Sequence, residues 1–400
     1  MADKTKKRPK NSSSTSSSSS YLLRTTLLAV AALAVYVGIE LKSSYDVYDV
    51  RDVPIYPARE LKGPLAPNDR LAEGEFLLKG KVIGPESIIA EGTQKLYTGT
   101  QDGKIVEITD GEITKEFILN SACKPQSSLK NCFRPLGMRR LNSKELIVAD
   151  AWQGLYTVNM DEMSIRKILD ANIEIDGEPM RFADDLDVID GENIVLSDAS
   201  TRYSYHQLVE EVNEGIPSGR ILHVHVSTKK VTVLAKGFYF ANGVQLFPDK
   251  KSLLVCETFA GRLHRVHLSG EKKGKTELFL DNLPGHPDNV RLSHDGKSFW
   301  VAFAGTKPND NFSFLDFSKK YPLLRRVLIT FVPHSWLLNL QKHHQPKHAM
   351  TIEVSLSGEI ISSLHDSTAK VVKAITQTTD DGTYLYLGSF HEDYIVRVKK

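Results

Sequence analysis

From about residue 71 onward, apolar runs of five or six residues alternate with Gly, Asp and Asn turns, the pattern of short β-strands. One run recurs, an apolar strand usually ending in small or acidic residues. It reads LYTGT at Leu96, LIVAD at Leu146, IVLSD at Ile194, LLVCET at Leu253, FWVAF at Phe299 and LYLGSF at Leu385. The intervals are 50, 48, 59, 46 and 86 residues, and four of the five approximate one four-stranded propeller blade. Residues 306–346 interrupt the last; without those 41 residues it is 45. Most marker strands are followed by a hairpin and a third strand: GKIVEIT, GLYTVNM, GRILHVHV, GRLHRVHL and YIVRVKK. Six such units predict an all-β domain over residues 71–400, a six-bladed β-propeller with a helical insertion in blade 5. The segment Glu73–Lys79 (EGEFLLK) is placed to supply the outer strand of the last blade and close the ring. Two stacked β-sandwiches would not generate this repeat.

The first 40 residues have another character. NSSSTSSSSS at 11–20 has nothing to bury, so 1–20 reads as a disordered tail. Thr25 to Ile39 carries no charge and, with Tyr21, Leu22 and Leu23 and a snorkelling Arg24, approaches the length of a membrane span. Residues 21–40 are therefore expected to be an uncleaved transmembrane anchor, with 41–70 as a stalk; a cleaved signal peptide is the competing reading. Residues 1–24 carry a net charge of +5, against +2 for the whole chain. The positive-inside rule then puts the tail in the cytosol and the propeller in the lumen or outside, a single-pass type II arrangement at the plasma membrane or endoplasmic reticulum. The remaining body, at −3, lacks the basic face that nucleic acid requires.

Three cysteines are too few to staple 400 residues. Cys123 and Cys132 flank a Pro-Ser loop and form a local disulfide in an oxidising compartment, or remain two reduced loop thiols; Cys256, inside LLVCETF, reads as a buried thiol. Asn311-Phe312-Ser313 is a glycosylation sequon on the expected lumenal side, whereas Asn11-Ser12-Ser13 would face the cytosol.

The repeat also organises polar residues. Ten or eleven positions before each marker strand lie Glu86, Pro135, Asp184, Asn242, Asp288 and about Ala374, where the innermost strand of each unit begins. Innermost strands line one axial channel, so Glu86, Asp184, Asn242 and Asp288, with Asn289, are expected to converge from distant parts of the chain. Converging carboxylates repel unless protons or a cation neutralise them. An all-oxygen set without Cys or His suits Ca2+ rather than zinc. The competing explanation is that each residue caps a turn.

GPES, RPLG, FADDL, FANGVQL, PDNVRL and the final LYLGSF resemble the strictosidine synthase-like propellers, from about residue 60 to the end of the chain. The wider superfamily includes paraoxonases, gluconolactonases and phosphotriesterases with a central Ca2+. The resemblance implies Glu86, Asn242, Asp288 and Asn289 as ligands, with Asp184 where those enzymes usually carry Asn, and Asp185 as a candidate for a second, structural ion. Two departures bear on mechanism. The His-Gly pair of paraoxonases is Leu136-Gly137 here, and Ala369–Gly382 lacks the Glu with which strictosidine synthase condenses an amine and an aldehyde. The expectation is a calcium-dependent, arylesterase-type hydrolase of small esters or lactones, in which Asp288 or Asp184 activates water or attacks directly. A non-catalytic scaffold or receptor with a structural calcium is the alternative, and strictosidine-type condensation the least favoured.

Residues 312–341 are unusually apolar, with Leu323, Leu324, Val327, Leu328, Phe331 and Val332 at helical spacing. A helical pair over the blade tops is expected; the sharper reading is a lid or interfacial helix meeting the bilayer. His343, His344 and His348 read as a surface cluster, His223, His225, His264 and His267 as residues of third strands, and Trp152 and Trp300 as interblade packing.

Overall fold

A computed structural model describes residues 16–54, 56–120, 132–307, 314–337 and 347–400. Six four-stranded antiparallel sheets follow one another around an axis. Blades 1 to 5 are consecutive meanders whose innermost strands are Ile88–Glu91, Pro135–Arg140, Ala183–Val188, Ala241–Leu246 and Gly285–Leu292. Blade 6 combines Gln377–Asp380, Tyr384–Gly388 and Ile395–Lys399 with the early strand Glu75–Leu77. That strand pairs Glu75 with Arg397, Phe76 with Val396 and Leu77 with Ile395, so the ends of the domain are zipped together as the sequence pattern suggests.

The marker strands are second strands, buried on both faces because blades stack on either side. Leu254, Phe299, Val301 and Ile352 share one interblade core, and Trp300, Leu364, Leu385 and Val396 the next. The acids that end several markers hold the local turns. Asp150 accepts the backbone N–H groups of Arg134, Trp152 and Gln153, and Asp198 pairs with Arg220 at 2.9 Å. Cys256 is the buried free thiol that its apolar run predicts.

Helix α1 (Ser16–Val47) contains an apolar stretch, Tyr21–Val47, long enough to cross a membrane. Thr25 and Thr26 turn their hydroxyls back to carbonyls of the preceding turn, which suits apolar surroundings. The helix outlasts the expected anchor by seven residues, from 40 to 47. The expected stalk is bound to the domain: Val53 and Leu65 are buried, Arg51 N–H donates to Glu214 O, and Arg59 N–H donates to Asn282 O.

Two insertions rise from one face, both between second and third strands, hence at the end where the innermost strands begin. Blade 3 carries α2 (Leu208–Glu214), which accounts for the 59-residue interval. Blade 5 carries α3 (Phe314–Lys319) and α4 (Pro322–Phe331), the expected helical pair.

Candidate functional site

Four innermost strands carry a β-bulge at the same level. Register shifts fall between Pro135 and Met138, Ala183 and Leu186, Ala241 and Val244, and Pro287 and Val290. A bulge re-aims side chains where pleated alternation would not. Counting two residues back from the partner of each marker's third residue (Ile88, Met138, Leu186, Val244, Val290, Thr378) gives the ring Glu86, Leu136, Asp184, Asn242, Asp288, Thr376. Four members match the sequence expectation. Pro135 gives way to Leu136 because the hairpin that joins the innermost to the marker strand is one residue shorter in blade 2 than in blades 4 and 5, and Ala374 to Thr376 because that hairpin is two residues shorter in blade 6.

Glu86, Leu136, Asp184, Asn242 and Asp288 line one cavity of about 140 Å3, walled above by Phe182, Tyr205, Phe240, Phe259 and Phe390. Asn289 sits one residue deeper, with Asp185, Gly137 and Gly243 at the same level. Both glycines are required by space: a Cβ on Gly137 would lie 2.5 Å from Asp185 Cα, and one on Gly243 2.5 Å from Asn289 Cα. Among the described residues, no three His, Cys, Asp or Glu side chains group tightly enough to form a metal shell alone. The three carboxylates thus share a cavity without closing on one point, and the amides must complete any ligand set. Asn242 Oδ1, Asp288 Oδ1 and Asn289 Oδ1 are buried without hydrogen-bond partners, which is the condition of oxygens fit to face a cation. The donor set fits Ca2+ in kind.

Electrostatics agree. Burial pushes Glu86 up to about 7, opposed mainly by Arg134. Asp184 and Asp288 are raised well above the carboxylate range, first by burial and then by Glu86. Arg134 is a site residue that the sequence reading missed, although it directly precedes Pro135 in the quoted motif. It is fully buried, lies 3.2 Å from Glu86 Oε2, donates to Gly84 O and Phe390 O, and faces the Tyr205 ring.

Below the ring the axis is plugged by ion pairs. Arg291 binds both oxygens of Asp185, at 2.7 and 3.0 Å; Arg139 lies 3.6 Å from Asp185 and 3.4 Å from Asp187. Asp185 also accepts Val244 N–H. The suggested second ion is therefore replaced by arginine: Asp185 already has its counter-charge.

Cys132 is buried, while Cys123 and the sequon residue Asn311 lie outside the described residues. His343 and His344 also lie outside them, but His348 is buried, not superficial, with Nε2 2.7 Å from Nδ1 of His365. Trp300 packs between blades as expected; Trp152 instead stacks on His206 in the aromatic cluster over the cavity.

Comparison with known proteins places this geometry. Residues 184–271 match the strictosidine synthase model, and 63–108 the strictosidine synthase-like N-terminal model. The adipocyte plasma membrane-associated protein of Gallus gallus is 38% identical over 340 residues, covering 84% of this chain and 80% of that protein. That of Homo sapiens is 36% identical over 340 residues, with the same coverage. Among solved structures, regucalcin from Agrobacterium tumefaciens, described as a calcium-binding protein, superposes with a TM-score of 0.51 at 14% identity, covering 81% of this chain and 92% of that one. A gluconolactonase from Xanthomonas campestris superposes with a TM-score of 0.51 at 12% identity, covering 87% and 98%. At such identities the structural likeness establishes the propeller fold alone. By its sequence relatives over most of its length, the chain belongs to the adipocyte plasma membrane-associated protein family of strictosidine synthase-like β-propellers.

Proposed function

We propose that this protein is a membrane-anchored, calcium-dependent hydrolase of small esters or lactones, of arylesterase type. The observation that carries the reading is the group of buried, unpartnered oxygens of Asn242 and Asp288 beside the carboxylates of Glu86 and Asp184 in one aromatic-walled cavity. Three carboxylates against one guanidinium leave a deficit of two positive charges when all are ionised, the charge of one Ca2+. Glu86, Asp184, Asn242, Asp288 and the deeper Asn289 would hold the ion. Calcium would polarise an ester carbonyl and stabilise the negative charge developing on its oxygen.

Arg134 fixes Glu86 from behind. Asp288 or Asp184 takes the proton of the attacking water, or attacks directly. Phe182, Phe240 and Phe259 orient the acyl or aryl group, and 140 Å3 is about the size of a cavity that admits one benzene ring. Leu136 supplies no base, so the acid–base work falls on the carboxylates. The finer localisation belongs to the same proposal: a cytosolic tail, a propeller in the lumen or outside, a Cys123–Cys132 disulfide and glycosylation at Asn311.

The test is metal analysis and phenyl acetate hydrolysis by the full-length protein in detergent, with and without chelator. Asp288→Ala is expected to lose both calcium and turnover; turnover that survives it overturns the assignment. A scaffold with a structural ion is the second reading, favoured by Leu136 in the ring and by the Arg134–Glu86 pair. Chelation that lowers the melting temperature of a protein with no hydrolysis marks that outcome.

A further inference from the structure

Helices that leave a membrane usually end in carbonyls that water must satisfy. Here protein does so. Arg326 donates to Ser44 O at 2.8 Å and Tyr48 O at 3.0 Å, and its guanidinium lies 3.6 Å from the centroid of the Tyr45 ring. Its neighbour Arg325 donates to Asn213 O of α2 at 2.6 Å and to Arg51 O. Glu214 of α2 accepts Asp49 N–H at 2.9 Å and Arg51 N–H. The end of α1 is thus clamped to α2 and α4, the two insertions on the face where the cavity opens. Tyr205 and Leu208, the latter the first residue of α2, are part of the cavity wall.

The spacing along α1 sets the depth. Its charge-free run ends at Ile39, and Ser44, already buried under Arg326, follows five residues later. At about 1.5 Å per residue that is about 7.5 Å. The headgroup layer on each side of a bilayer is about 5–7 Å thick. With α1 spanning, the contact of α4 with Ser44 therefore lies at the outer edge of the headgroup layer. Large apolar side chains of the insertion stand exposed: Leu323 at 62%, Trp336 at 70%, Tyr321 at 48% and Phe317 at 39%. Tyr and Trp are the side chains that settle at membrane interfaces.

We infer that the insertion of blade 5 is a membrane-docking surface, and that the Arg325–Arg326 clamp seats the cavity-bearing face of the propeller on the leaflet in which α1 ends. The occupant of this face is a phospholipid bilayer. The site opens toward lipid, and its substrate, if the ester-hydrolase reading holds, is an ester or lactone dissolved in the membrane.

The full-length protein in phosphatidylcholine vesicles tests this through Trp336, with Trp336→Phe as the blank for the other two tryptophans. Lipid brominated near the headgroup end of its chains is expected to quench the Trp336 share of the emission, and aqueous acrylamide to quench it less than in detergent. Arg325→Gln/Arg326→Gln is expected to lose the lipid quenching while the protein stays in the membrane on alkaline extraction. Trp336 that responds to acrylamide alone overturns the docking, and alkaline release of the wild-type chain overturns the span on which it rests. Docking with equal turnover of water-soluble and membrane-dissolved esters removes only the substrate clause, and docking without any turnover refutes the hydrolase reading instead.

Discussion

The sharpest energetic prediction concerns Glu211, away from the axial ring. The residue sits on α2 with 3% exposure, and its carboxylate accepts the hydroxyls of Ser200 at 2.6 Å and Ser218 at 3.3 Å. The nearby Arg202 is committed to Glu214 at 2.7 Å, so among the described residues Glu211 forms no ion pair of its own. Burial, opposed by the two serines and reinforced by Glu214, pushes its pKa up to about 8. Because the folded state holds this proton more tightly than the unfolded state, folding is favoured below the ordinary carboxylate range. Stability falls as pH rises from there to about 8. At about 1.4 kcal/mol per unit, with the curve flattening at both ends, the loss between pH 5 and pH 8 is about 3.5 kcal/mol. Glu211→Gln keeps an acceptor for Ser200, places an amide donor at Ser218 Oγ, and has no charge to bury. The two proteins should melt alike near pH 5, whereas the variant should melt about 5 °C higher at pH 8, scaled for a large domain. Differential scanning fluorimetry of the full-length protein across this range is the assay. Parallel curves, or a variant destabilised at every pH, would refute the claim that an uncompensated carboxylate is buried there.

Three further outcomes follow from other contacts. Gly388→Ala would put a Cβ 2.1 Å from Glu86 O, so it should cost about 1–3 kcal/mol and weaken the calcium-induced rise in melting temperature, both read from thermal melts with and without chelator. Arg134→Met strips Glu86 of its buried partner and should destabilise by about 3–5 kcal/mol; adding Glu86→Gln should recover part of that, and a double-mutant cycle without coupling would contradict the pairing. If Cys123 and Cys132 are joined, thiol titration should find none in the native protein, because Cys256 is buried and its thiol is raised well above its usual pKa, one after denaturation and three after reduction.

The repeat was legible because a second strand buried on both faces must be apolar throughout, and six copies of one constraint leave six similar words. Closure by Glu75–Leu77 was legible for a related reason: without it the last sheet lacks its outer strand. The bulges were not. Asp184-Asp185, Asn242-Gly243 and Asp288-Asn289 look like turn residues at strand starts, and only the ladder register reveals that each pair spans a bulge. Arg134 escaped because a reading by conserved depth follows one position per blade, and its guanidinium enters the site from outside that register. The hold on the stalk was invisible for a plainer reason. Much of it is made by backbone carbonyls of Ser44, Tyr48 and Arg51, which carry no side-chain signal, against arginines nearly 300 residues away.

Two charged layers lie stacked on the propeller axis, and their contrast bears on function. The lower one closes its own account of charge, with Asp185 and Asp187 facing Arg139 and Arg291 through contacts of 2.7 to 3.6 Å. A fold that needed only stability could treat the upper layer the same way, and Leu136 shows that an apolar side chain also fits a position in that ring. Instead the layer of three acids and two amides has one ion pair of its own, Arg134 with Glu86, and buried oxygens are left without partners. Unpartnered buried oxygens cost stability, whereas replacing a buried ion pair by well-packed apolar residues is often neutral or favourable. The upper layer therefore makes physical sense as a site completed from outside the chain, and the lower as the rigid floor that holds its bulged strands in place. Removing one acid from the upper layer by Asp184→Asn, which leaves the floor intact, should raise the melting temperature of chelator-treated protein and shrink the shift produced by added calcium. A variant that melted lower than wild type without calcium would mean that Asp184 is already satisfied within the fold, and the distinction between the two layers would fail.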